Sequence, residues 1–96
     1  MLLNAPSSSD WELNLDGTFM EFDVIDAPAG ADGFIMAGNV NAEPLLQPVS
    51  AAFAVPASQD FGPELSPGDT GVGRIAWAKG ATQVSPFSAT KTVHLT

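Results

Sequence analysis

The chain has 96 residues with 11 Asp and Glu against 3 Lys and Arg, a formal charge of −8 and no Cys. One small domain fills that length, and so few cations exclude a duplex nucleic-acid binder or a polybasic membrane contact. Without Cys there is no disulfide framework, thiolate zinc site or cysteine nucleophile, yet 45% hydrophobic residues are enough for a packed core and unlike a disordered acidic tail.

The start, Met-Leu-Leu-Asn-Ala-Pro, lacks the basic n-region and the long apolar run of a secretory signal. We therefore expect a complete small product made in a cytosol and not exported through a signal peptide. Residues 1–9 read as an N-terminal arm and 10–96 as one domain. No stretch reaches the roughly 20 apolar residues that span a membrane.

Gly and Pro punctuate short segments of period-two alternation, which predicts an all-β chain. The first strand is Asp10–Asp16, with Trp11, Leu13 and Leu15 alternating against Glu12 and Asn14. Asp16-Gly17 makes a short hairpin turn. The second strand runs from Thr18 to Ile25, with Met20, Phe22 and Val24 inward and Glu21 and Asp23 outward. Phe19 and Ile25 break that alternation and point to a bulge near one end. A loop, Asp26–Asp32, leads to a third strand, Gly33–Val40, with Phe34 and Met36 inward. A short edge segment is expected around Leu45-Leu46, and a strand over Val49–Val55. Pro56–Thr70 reads as a long loop containing Phe61 and Leu65. Gly71–Lys79 is a strand in which Ile75 and Trp77 share a face, and Val84–Thr96 is the last strand. About seven strands at near-regular spacing predict an antiparallel, immunoglobulin-like β-sandwich.

Candidate chemistry is sparse. His94 is the sole imidazole, between Val93 and Leu95, and no Gly-x-Ser-x-Gly motif accompanies it. Ser7-Ser8-Ser9 reads as a polar arm. Glu21 and Asp23 stand about 7 Å apart on one strand face, but the inward neighbours put that pair on the solvent side. Gly71-Val72-Gly73 lacks the Lys and the helix of a phosphate cradle. Asp26 and Asp32 bracket one loop with Asp23 nearby, hard oxygen donors that make a calcium candidate without an EF-hand pattern. No cofactor is expected, and the chain reads as non-enzymatic.

Several segments together resemble a fibronectin type III domain. Leu65-Ser66-Pro67-Gly68-Asp69-Thr70 is similar to the turn before the family's sixth strand, and Gly73–Ala78 to that strand. Val84-Ser85-Pro86-Phe87-Ser88 resembles the Ser-x-x-Ser approach to the last strand. Ala27–Phe34 resembles the passage from second to third strand, and Ala5-Pro6-Ser7-Ser8 the lead-in. The family's corner tyrosine would fall at Gly71 and its second-strand tryptophan at Val24 or Ile25, so Trp11 and Trp77 are expected to supply that bulk. No integrin-binding Arg-Gly-Asp tripeptide is present.

The resemblance, the missing export signal and the missing cysteines together imply a structural, non-catalytic virion protein of a tailed bacteriophage, a head decoration or other surface accessory. Its partners would be capsid or tail proteins, or further copies of itself. The expected contact elements are the arm, with Met1, Leu2 and Leu3, the loop with Phe61, one strand edge, and the cations Arg74 and Lys91. The alternative is a cell-surface or carbohydrate-binding module using Trp77 or Phe87. All 11 acids precede Arg74, and Arg74, Lys79, Lys91 and His94 follow them, so the cations should gather on one sheet.

Overall fold

The computed structural model describes residues 2–41, 49–62 and 64–96. These residues are all-β, with no helix among them. The strands are β1 (Glu12–Asp16), β2 (Phe19–Val24), β3 (Gly33–Val40), β4 (Val49–Ala54), β5 (Ala57–Phe61), β6 (Thr70–Lys79), β7 (Thr82–Gln83) and β8 (Lys91–His94). They form two antiparallel sheets: β1-β2-β5, and β4-β3-β6-β7 with β8 also paired to β6.

The alternation read from β2 decides how the first sheet faces the second. Met20, Phe22 and Val24 are fully buried, which sends Glu21 and Asp23 to the other face. Leu13 of β1 and Phe61 of β5 join the same inner layer, opposite Phe34 and Met36 of β3 and Ile75 and Trp77 of β6. Trp11, just before β1, lies parallel to Phe22 with centroids 5.8 Å apart, and Phe22 meets Phe61 edge-on at 5.5 Å. These offset and edge contacts are the arrangements that aromatic quadrupoles favour. The sandwich-like packing depends on close approach at β6: a Cβ on Gly73 would lie 2.6 Å from the Phe22 ring, and one on Gly71 2.6 Å from Met20 Sδ. The bulk expected from Trp11 and Trp77 is indeed in the core, while Met20 fills the space beside Gly71.

The expected loop Pro56–Thr70 contains β5, which pairs with β2 from Met20↔Phe61 to Val24↔Ala57. Ala-Ser-Gln-Asp-Phe has too little apolar alternation to be legible as a strand, and only the neighbouring strand reveals it. Of the expected last strand, Val84–Thr96, Lys91–His94 forms β8, while β7 (Thr82–Gln83) lies before it. Pro86 has no N–H to donate, and Ser85 and Ser88 take over the partnership with β6. Ser85 Oγ accepts from Trp77 N–H at 2.8 Å and donates to Pro86 O, and Ser88 Oγ accepts from Ile75 N–H at 3.1 Å and donates to Ala89 O. The irregularity expected in the second strand is found elsewhere: β2 pairs in continuous register, and the shift lies in β3–β4 between Ile35 and Ala37. The segment expected around Leu45-Leu46 lies outside the described residues.

A Cβ on Gly33 would lie 2.2 Å from the Phe53 carbonyl oxygen, a backbone atom. Gly33→Ala should therefore lower the unfolding free energy in urea by about 2 kcal/mol, more than Gly71→Ala, whose obstacle is a flexible Met side chain. Equal losses would contradict that distinction. Ser85→Ala leaves the buried Trp77 N–H without its acceptor and should cost about 1–3 kcal/mol, with faster hydrogen exchange at Trp77 as the local readout.

Candidate functional site

The outer face of the first sheet collects carboxylates because its inner face is claimed by the core. Cross-strand pairing sets Glu12 beside Asp23, and Glu21 between Asn14 and Asp60. Asp16, Glu21 and Asp60 bring carboxylate oxygens within 4.8 Å of one another. Like charges this close favour the protonated form. Glu21 is raised above its ordinary 4.5 by partial desolvation, then by the hydrogen bond and charge of Asp23 and the charges of Asp16 and Asp60. Asp60 is raised above 3.8 by its hydrogen bond with the Asp16 carboxyl, then by desolvation and the charges of Asp16 and Asp23. The Glu21–Asp23 pair thus takes the solvent face read from the sequence. Asp60 was not legible as its neighbour, because β5 was not.

The calcium candidates do not come together. Asp23 accepts from Asn14 Nδ2, Asp26 Oδ1 accepts from the Ala27 N–H at 2.9 Å, and Asp32 Oδ1 accepts from the Gly80 N–H at 3.0 Å. Asp32 Oδ2 also faces Lys79 Nζ at 3.7 Å. Among the described residues, the carboxylates that do converge are Asp16, Glu21 and Asp60.

The cations stand on β6 and β8, in the second sheet, as the charge order along the chain implied. The Arg74 guanidinium lies 4.6 Å from the Phe87 ring centroid. His94 Nδ1 is 3.1 Å from Thr70 Oγ1. Lys91 Nζ donates to the carbonyls of Ser8 and Trp11 and sits over the Trp11 ring at 4.7 Å. This strap ties β8 to the segment entering β1, so Lys91 serves the fold internally.

Of the remaining expected contact residues, Met1 lies outside the described residues and Leu2 is 67% exposed. Leu3 is half-buried against the core, and its N–H donates to Val84 O at 2.7 Å. Phe61 is corrected: it is 5% exposed in the core and offers no contact surface, because β5 turns it inward. The aromatic platforms of the carbohydrate alternative are occupied. Trp77 is 2% exposed, and Arg74 covers a face of Phe87.

At the far end of β6, Asp69 accepts from the Ser66 N–H and from Asn41 Nδ2, both at 2.9 Å. These bonds, the backbone one first, hold its carboxyl below the ordinary 3.8, assisted by the charge of His94. The turn that resembled a family motif is thus a hydrogen-bonded corner.

Comparison with family models, with curated proteins and with solved structures finds no significant match to this chain.

The pH dependence follows from the signs. Glu21 and Asp60 bind protons more tightly folded than unfolded, so their effect is to raise stability as pH falls from neutrality toward the ordinary carboxylate range. Asp69 acts oppositely, and its stabilisation is lost as pH falls through its lowered pKa, below 3.8. The melting temperature should therefore be higher at about pH 5 than at about pH 7. Asp60→Asn should raise it at neutral pH and flatten that slope, and a wild-type slope in Asp60→Asn would refute the assignment.

Proposed function

We propose that this chain is a non-catalytic structural and interaction protein, built as a fibronectin type III-like module and carried on the virion of a tailed bacteriophage as a head decoration or other surface accessory. The observation that carries the module reading is the strand order. The first, second and fifth strands are neighbours in one sheet, and the third, sixth and last are neighbours in the other. This matches the A-B-E and C-F-G adjacencies of immunoglobulin-like sandwiches. The Ser85 and Ser88 hydroxyls and the Ser66–Asp69 corner give physical roles to two segments on which the resemblance rests.

The surface supports an interaction role through its polarity. One sheet presents Glu12, Asp16, Glu21, Asp23 and Asp60, while Arg74, Lys79, Lys91 and His94 belong to the other. Such segregation orients a module against an assembly and discriminates against wrong partners. The virion reading rests on analogy with fibronectin type III-like display modules, and a chain without cysteines needs no oxidising compartment to fold.

Mass spectrometry of purified particles from a phage whose genome encodes this chain should find it in stoichiometric amount with the head or tail proteins. Its absence from intact particles would overturn the virion assignment. A further test reverses charge at Lys79, whose side chain is 62% exposed. Lys79→Glu should weaken attachment most at low ionic strength. Lys91 is unsuited to that experiment because its reversal would break the strap to Trp11.

A further inference from the structure

We infer that a cleft at one end of the three-stranded sheet is a docking site for a basic, extended peptide segment of a partner protein. The cleft, about 690 Å³, is walled by residues 9–12 entering β1, 23–26 leaving β2 and 56–58 entering β5. That volume falls in the range of ligand sites. Asp10, Glu12, Asp23 and Asp26 line it, and no Lys, Arg or His does. Lys91, held over the Trp11 ring, is outside the lining.

Two further observations narrow the occupant. The first is apolar. Ile25 lines the cleft at 81% exposure, above Leu2, Leu15 and Phe19 among the exposed large hydrophobic residues, and Trp11 forms part of the same wall. The second is the spread of the charges. Cleft carboxylates do not converge as Asp16, Glu21 and Asp60 do, so they suit separated cations along a chain better than one metal ion.

A peptide bearing Lys or Arg answers both. Its aliphatic stems lie against Ile25, and its cationic heads pair with the carboxylates. A neutral glycan leaves the charge unanswered, and an acidic segment is repelled. The inference concerns this surface alone and stands independently of the virion assignment.

The test is a titration of the whole chain with a capped Ala-Lys-Ala-Lys-Ala peptide, followed by ¹H–¹⁵N NMR. The chain has two Trp residues, so Trp77 is an internal control. The Trp11 indole and the Ile25 amide should shift saturably while the Trp77 indole stays in place. Replacing Glu12 and Asp26, both exposed, in a Glu12→Gln/Asp26→Asn variant should weaken binding about five- to tenfold. Asp60→Asn, on the same sheet but outside the cleft, should change it less than about twofold if the effect is local. An unmoved Trp11 indole, equal binding of capped Ala-Glu-Ala-Glu-Ala, or an equal loss in Asp60→Asn would each overturn the proposal.

Discussion

The two sheets can approach as they do because β6 presents glycines where β2 presents its bulk. Along the inward positions 71, 73, 75 and 77, β6 carries Gly, Gly, Ile and Trp. Met20 lies against the first glycine and Phe22 against the second, at separations that leave no room for a Cβ. Alternating small and large residues across facing layers is how an interior reaches close packing without voids. Phe22 then becomes the hub of the aromatic layer, with Trp11 parallel to it and Phe61 on edge. In a chain without disulfides, this interlock and its flanking hydrogen bonds hold the fold.

The acidic face follows from that interlock. With Met20, Phe22 and Val24 committed to the core, Glu21 and Asp23 have only the opposite face available. Pairing with β1 and β5 then brings Asp16 and Asp60 to the same patch. The repulsion among these groups, seen in the raised Glu21 and Asp60, opposes folding at neutral pH. The core must outweigh it. A face maintained against such repulsion gives electrostatic steering a strong handle.

Hydroxyl and ammonium groups do structural duty along the segment from Ser85 to Lys91, which runs into β8. Where Pro86 interrupts the ladder, Ser85 and Ser88 take the β6 amides that a regular strand would have taken. Farther along, Lys91 joins β8 to the carbonyls of Ser8 and Trp11 across the junction between the sheets. The surface cations are thereby partly absorbed into the fold, and the acidic faces and clefts are left to dominate what a partner meets.

Much of the sheet architecture is written in local pattern. The inward residues of β2 and β3, the shared face of Ile75 and Trp77 and the hairpin at Asp16-Gly17 are all legible, because period two and turn chemistry act between near neighbours. The order of charge along the chain, every acid before Arg74 and every base from Arg74 onward, is equally a property of sequence. Other features depend on which strand lies beside which. β5 is a strand because β2 pairs with it, Asp60 crowds Glu21 because that pairing has one register, and Phe61 is core for the same reason. Lys91 could not be assigned to Trp11 from positions 80 residues apart, nor could the cleft be assembled from three distant chain segments. Sequence alone determined the faces of individual strands. Tertiary structure decided their neighbours, because hydrogen-bonded ladders and ring contacts join residues that no local period relates.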